Sequence, residues 1–265
     1  MPGIFTNQQL EEVHLKNAPL VKALAQVRFP VILKLDTPEG IQGFQERLRA
    51  QYPVTRQEPH LTMVFGPNGP VPSATQGIVW RMSEVEGPWT VVLARDFVAV
   101  ETSVYSSRDE FLEKWRVVLD ALETLDPAPA VYDRLGVRYV NRLVGDNLID
   151  DLPSLVRTEI LGPTNIDRSD AELVASVSQS IFRLNSMQVK AGWGMVPGNT
   201  VIVPGIDAVS ERSWMLDVDV FSEQPGQSFS TDRVIEETRR GAEHAYAFFR
   251  WAVLDEFLRR FGGDV

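Results

Sequence analysis

Two β-runs constrain this chain more than any other feature. Val21–Pro30 (VKALAQVRFP) and Leu135–Leu143 (LGVRYVNRL) each carry an arginine, Arg28 and Arg138, inside an otherwise apolar stretch. Successive side chains of a strand point to opposite faces. Ala23, Ala25, Val27 and Phe29 therefore share one face of the first run, and Leu24, Gln26 and Arg28 share the other. By the same parity Arg138 lies on the face of Val140 and Arg142. A guanidinium held on such a strand needs a counter-charge or an anionic ligand. Pro30 has no N–H to give to a ladder and marks a strand end or a sheet edge.

Around these runs, strand and helix signals alternate. Residues 1–15 are polar with a few apolar positions (Ile4, Phe5, Leu10, Val13), the pattern of a docking arm. Pro38-Glu39 opens a helix to about Gln51, with Ile41, Phe44 and Leu48 at helical spacing and Tyr52-Pro53 as its stop. Strands are predicted at Leu61–Phe65, Ile78–Glu84 and Thr90–Val104, separated by Gly66–Pro72 and Gly87-Pro88. The third is long enough to bend near Arg95-Asp96. Ser107-Arg-Asp-Glu110 is a capping box that starts a helix to about Leu125, with Phe111, Trp115, Val118 and Leu122 as its buried stripe. Beyond Leu143, the stretch Gly145–Ser169 predicts short helices. Leu173–Leu184 then leads into strands at Met187–Met195, Thr200–Val203 and Trp214–Phe221, and Glu223–Ser230 reads as a loop. A long helix, about Asp232–Phe261, follows with Val234, Thr238, Gly241, Ala245, Phe248, Ala252 and Arg259 on one side.

Strands followed by a packing helix occur twice. This predicts an α+β protein of two pseudo-equivalent halves, 1–145 and 146–265, each a mainly antiparallel sheet packed by helices on one face. No G-x-G-x-x-G joins a strand to a helix, so a doubly wound dinucleotide fold has no support.

Composition narrows the function. The chain has 265 residues, 44% of them apolar, enough to bury a sizeable core. With no cysteine, disulfides, thiol nucleophiles and Cys-ligated metal sites are excluded. The longest apolar run, Thr90–Val104, is broken by Arg95, Asp96 and Glu101, and no basic-then-apolar leader opens the chain, so the reading is a cytoplasmic protein away from membranes. A formal net charge of −10 repels a phosphate backbone and argues against nonspecific nucleic-acid binding. Arg233, Arg239, Arg240, Arg250, Arg259 and Arg260 are interleaved with Glu236, Glu237, Glu243, Asp255 and Glu256, as on a solvated helix face.

Four segments carry a resemblance: Ala18-Pro-Leu-Val21 with Arg28-Phe29, Leu135-Gly-Val-Arg-Tyr-Val-Asn141, Leu216-Asp-Val-Asp-Val220, and His244 followed by Phe249. Together they resemble a sporadically distributed, uncharacterised bacterial protein family of about this length, with no assigned activity or cofactor. The resemblance implies the architecture and singles out Arg28, Arg138, Asn141, Asp217, Asp219 and His244 without attaching roles to them.

Three functional readings follow. In the leading one, Arg28, Arg138 and Asn141 are ligand-binding residues, the guanidinium forks gripping a carboxylate of a peptide or protein partner that adds a strand at an exposed edge. The protein is then a non-enzymatic accessory protein without a cofactor or metal, in peptide modification or a bacterial conflict system. Set against it is internal ion pairing of the arginines with Glu101, Asp217 or Asp219. In the second reading Asp217, Asp219 and His244 perform metal-assisted or acid–base catalysis, one carboxylate raising the pKa of the other. Against this, D-x-D also describes the polar face of a half-exposed strand, and His244, between Arg240 and Phe248, is expected to stay neutral as a packing residue. His14 and His60 stand apart, and G-x-S-x-G, P-loop and H-E-x-x-H motifs are missing. The third reading is a nucleic-acid-associated regulator using the C-terminal arginines. Trp89 and Trp193, each beside glycine, are candidate exposed contacts, and exposed edges leave room for a homodimer.

Overall fold

The computed structural model describes residues 3–5, 10–66, 69–166, 170–201 and 205–264, with backbone only for 60–66 and 69–76. β1 (Leu20–Arg28) takes the predicted pleat, with Ala23, Ala25 and Val27 wholly buried on one face. A 3₁₀ turn (Leu33–Asp36) leads into α1 (Pro38–Leu48), capped by Thr37 Oγ1, which accepts the Gly40 N–H at 3.1 Å. β2 (Val54–Gly66) and β3 (Gly69–Ser83) form a hairpin much longer than the strands read at Leu61–Phe65 and Ile78–Glu84. The predicted run Thr90–Val104 folds at Arg95-Asp96 into two strands, β4 (Trp89–Ala94) and β5 (Phe97–Thr102).

α2 (Arg108–Glu123) starts at Ser107, whose Oγ accepts the Glu110 N–H at 3.2 Å. The Glu110 carboxylate engages the Ser106 hydroxyl and does not reach back to the Ser107 N–H, so half of the capping box forms. Its predicted stripe, Phe111, Trp115, Val118 and Leu122, is buried. β6 (Val131–Val144) is followed, through Gly145 at φ 96°, by the short helices α3 (Asp146–Asp150), α4 (Leu152–Leu155) and α5 (Thr158–Leu161) and a 3₁₀ turn (Gly162–Asn165). Then come β7 (Ser178–Arg183), β8 (Gln188–Val196) and β9 (Ser213–Ser228). β9 absorbs most of the loop expected at Glu223–Ser230. Thr200 and Val201 are outside any strand, and the rest of that expected strand lies outside the described residues.

The strands make one nine-stranded antiparallel sheet, ordered β2-β3-β4-β5-β1-β6-β9-β8-β7, where two sheets were expected. The two arginine-bearing runs are its central pair, with Ala25 opposite Val137 and Leu24 opposite Arg138. Both runs bury the same face, and pairing them satisfies their backbone groups while fusing the apolar surfaces into a single contiguous core.

α6 (Thr231–Ala252) and α2 cover this buried face together, joined by the Trp115 Nε1–H donating to Thr238 Oγ1 at 3.2 Å. At Gly241 a Cβ would meet Val137 Cγ1 at 2.9 Å and Val220 Cγ1 at 3.8 Å, so glycine sets the helix-to-sheet distance. The helix expected to run unbroken to Phe261 stops at Ala252, and α7 (Asp255–Arg260) resumes after it. The break occurs because Val253 bridges Val156, while Arg157 N–H donates to Ala252 O and Leu254 N–H to Leu155 O, both at 2.9 Å. Arg259 thus leaves the α6 stripe, whose other predicted members are buried. Trp89 is buried beside Phe111, and Trp193 packs on Phe248 at 6.3 Å; neither is the exposed contact expected.

Candidate functional site

The open face of the sheet holds both arginines. Leu24 is opposite Arg138, and Arg28 lies four residues further along the same face, about 13 Å away at the strand rise. Each meets a carboxylate of its own. Arg28 Nη2 lies 3.0 Å from Asp96 Oδ2, with the arginine side chain 48% exposed. Arg138 makes a fork on Asp217, Nε to Oδ1 at 2.8 Å and Nη2 to Oδ2 at 2.6 Å. Burial works to lower the Arg138 pKa, but the hydrogen bonds and charge of Asp217, with help from Asp219, raise it overall. The arginines share a face without gripping a common ligand, and the internal ion pair with Asp217 replaces the expected carboxylate site. Nor is either beside an exposed edge, since β1 and β6 are the middle of the sheet. Asn141 has the opposite parity and faces the helices.

Asp217 and Asp219 lie on the open face, where Asp219 Oδ2 is 3.7 Å from Arg134 Nη2. The Asp219 pKa is raised, chiefly by burial and also by the charge of Asp217, against Arg134, Arg138 and Lys190. His244 is on α6, across the sheet, with its ring edge-on to Phe5 at 6.3 Å. Burial, reinforced by Arg240 and opposed by Glu243, lowers its pKa, the direction read from its neighbours. The sheet separates His244 from the two aspartates, so the three cannot relay a proton. Among the described residues no group of three His, Asp or Glu side chains converges as a metal site. His14 Nδ1 sits 3.0 Å from Ser106 O, and the His60 side chain lies outside the described residues.

Ion pairs occupy much of the remaining open face. Arg81 bridges Glu58 and Glu101, both at 2.8 Å, and Lys22 reaches Glu101 at 2.7 Å. Arg142, which sequence reasoning used only to mark a strand face, is 5% exposed and has no carboxylate partner among the described residues. It donates to Ser213 Oγ at 3.0 Å and to Asp207 O at 2.7 Å, and burial lowers its pKa. The six C-terminal arginines are all paired with carboxylates: Arg233 and Arg240 with Glu237, Arg239 with Asp109, Arg250 with Asp255, Arg259 with Glu256 and Arg260 with Asp151. A stripe neutralised in this way has little charge left for a phosphate backbone.

Two places among the described residues are candidates for a ligand. One is a cavity of about 160 Å³ between residues 12–20, β6 and α6, lined in part by Tyr139, Asn141, Val218, Ala242 and Ala245. Asn141 is 7% exposed, and its carboxamide makes no hydrogen bond among the described residues. The Tyr139 hydroxyl is buried and makes no well-formed hydrogen bond, its polar neighbour being the Tyr105 hydroxyl.

The other feature is the outer edge of β7. Its residues alternate: Ser178, Ser180 and Phe182 turn toward the helices, while Gln179, Ile181 and Arg183 are exposed on the open face. Ile181 is 57% exposed and is followed two residues later by Arg183, which has no ion-pair partner among the described residues. Val174 and Val177, just before the strand, are 63% and 66% exposed. The pattern was visible in the sequence as S-Q-S-I-F-R, but nothing there marked it as the last strand of the sheet.

These features define an α+β protein built on one antiparallel sheet, helix-covered on one face, with an apolar and basic edge at β7 that no strand among the described residues pairs with. Models of known protein families give no match to this chain, and a search of curated proteins finds none either. Among the described residues no helix is long and apolar enough to cross a membrane.

Proposed function

We propose that this chain is a non-enzymatic recognition protein that takes an extended peptide, or an extended segment of a partner protein, as an added strand on β7. The observation that carries this reading is the edge itself: among the described residues no strand pairs with the outer side of β7, next to exposed Ile181 and to Arg183, which has no ion-pair partner among them. Main-chain hydrogen bonds to such an edge give affinity, and the alternate side chains give specificity. Ile181 and Arg183 are two residues apart on one face, so the ligand they select has an apolar and an acidic residue two positions apart. Arg183 takes the role that the sequence reading assigned to Arg28 and Arg138. The accessory role in peptide modification or a bacterial conflict system belongs to this proposal, as does membership of the family that the four segments resemble.

The same reading treats 1–145 and 146–265 as equivalent units. β1 to α2 and β6 to α6 both run strand, helical segment, strands, helix, so the second run opens at β6 (Val131–Val144), ahead of the 145/146 boundary, and the two runs meet where β1 pairs with β6. A second copy of this chain is one partner that could supply the added strand, giving a homodimer. The test is a panel of labelled peptides with apolar and acidic residues two apart, and scrambled controls, titrated by fluorescence anisotropy. Saturable binding with amide-exchange protection confined to Ser178–Arg183 is the expected result. No binding, equal binding of the scrambled controls, or protection elsewhere overturns the reading.

A further inference from the structure

The cavity beneath residues 12–20 is independent of the β7 edge. We propose that it binds a small neutral molecule with a ring-sized apolar body and one hydroxyl or carboxamide group. At about 160 Å³ it matches the size of an apolar protein cavity of about 150 Å³ that takes up benzene. Val218, Ala242 and Ala245 supply apolar wall, while Tyr139 and Asn141 supply the polar groups. These two are successive inward positions of β6, with Cα atoms about 6.5–7 Å apart.

The unmet chemistry specifies the ligand. Of the two, the Tyr139 hydroxyl is fully buried without a well-formed hydrogen bond, which is costly, while the Asn141 carboxamide is reached from the cavity and is open to whatever fills it, ligand or water. The Asn141 carboxamide both donates and accepts, as does a protonated phenol. Burial pushes the Tyr139 phenol up, so it keeps its proton at neutral pH. A carboxamide or hydroxyl on the ligand matches both groups.

The charges around the cavity already have partners, which is why the ligand is neutral. Glu12 accepts from the Tyr105 hydroxyl at 3.0 Å and from the Arg108 N–H at 3.1 Å. The Arg108 guanidinium lies 5.7 Å from the Tyr246 ring centroid and 3.9 Å from Glu243. The cover over the cavity, residues 12–19, lies outside any strand and is tied down by Val13 N–H to the Tyr246 hydroxyl at 2.7 Å, Asn17 N–H to Phe261 O at 3.0 Å and Arg142 N–H to Pro19 O at 2.8 Å.

The experiment uses the full chain with benzamide, phenol, benzene and benzoate, read by thermal shift and by ligand-observed saturation-transfer NMR. Benzamide or phenol should bind saturably and raise Tm by about 2–4 °C at ten times Kd, with benzene weaker and benzoate weakest. Asn141→Leu should lose at least tenfold in benzamide affinity and keep or gain benzene binding. The proposal fails if none of the probes binds, which leaves a cavity holding water only. It also fails if benzene equals benzamide on the wild type, or if Asn141→Leu binds benzamide unchanged. Should that variant not fold, the NMR competition between benzamide and benzene on the wild type decides alone. An Ile181 substitution on β7 leaves this binding intact, so failure here and failure of the peptide reading are distinguishable.

Discussion

The two edges of the sheet have the same backbone chemistry and different protection. At β2, Thr55, Arg56, Gln57 and Glu58 are exposed and polar or charged, after a half-buried Val54. Pro59 then removes a donor, and a bulge between Pro59 and Leu61 twists the ladder. At β7 there is no proline and no bulge, the register with β8 is unbroken, and Ile181 faces solvent. Native sheets blunt their edges with charge, proline and bulges because an unguarded edge templates another strand. The contrast separates being an edge from being available: both strands are edges, and over the described side chains β2 carries charge and a proline where β7 exposes Ile181. The central strands show a third state, in which the charges are present but internally satisfied.

Removing Arg138 should have the largest effect on that contrast. Arg138→Ala strands Asp217 and should cost about 2–3 kcal/mol in urea unfolding, whereas Arg28→Ala, at a more exposed pair, should cost about 0–1 kcal/mol. Equal costs would mean that the central charges are no better satisfied than those at the strand ends. Next in size is ligand affinity. Ile181→Asp should weaken the selected peptide at least tenfold, about 1.4 kcal/mol, while Gln57→Asp on β2 leaves it unchanged by anisotropy. Parallel losses at both edges would break the comparison. Smaller still is self-association: in sedimentation velocity, Ile181→Lys should reduce any concentration-dependent rise in mass by a few-fold, and Gln57→Lys should not.

The smallest expected effect is electrostatic and has opposite signs on the two sides of the open face. Burial acts to raise Glu101, but Lys22 and Arg81 outweigh it and hold the group below its ordinary 4.5. Its stabilisation is complete above pH 4.5 and is lost as pH falls through the lowered folded value. Asp219 is raised above 3.8, chiefly by burial, so its contribution is complete below pH 3.8 and is lost as pH rises through the raised value. Urea titrations between about pH 3 and pH 6 should show Glu101→Gln removing part of the acid-side loss and Asp219→Asn removing part of the opposing slope.

Much of the local structure was legible in the sequence because its causes lie within a few residues. Ser107 caps α2, Thr37 precedes the Pro38 helix start, and Phe111, Trp115, Val118 and Leu122 are buried as their spacing predicts. The turn at Arg95-Asp96 fell where the apolar run was interrupted. The site was less legible. Asn141 was singled out and does line a cavity; Arg28 and Arg138 were read first as ligand-binding, with internal pairing to Glu101, Asp217 or Asp219 set against it, and Asp217 does hold Arg138 while Asp96, which was not named, meets Arg28. Asp217 and Asp219 were grouped with His244 although the sheet stands between them. None of these partnerships leaves a mark in local spacing, since Arg138 and Asp217 are 79 residues apart in the chain. The end of α6 was missed for the same reason: a bridge to Val156 stops the helix, and no proline or glycine announces it.

By itself the sequence determined the α+β class, the inward and outward faces of β1 and β6, and the helix starts, because side-chain period and capping are set by neighbours in the chain. Tertiary structure alone decided that the strands form one sheet and not two, that β1 and β6 are its centre, and that β7 is its open edge. It also decided which carboxylate each arginine meets. These are outcomes of long-range backbone pairing, in which every strand competes for every other, and the pairing that buries the most apolar surface with the fewest unmet polar groups prevails.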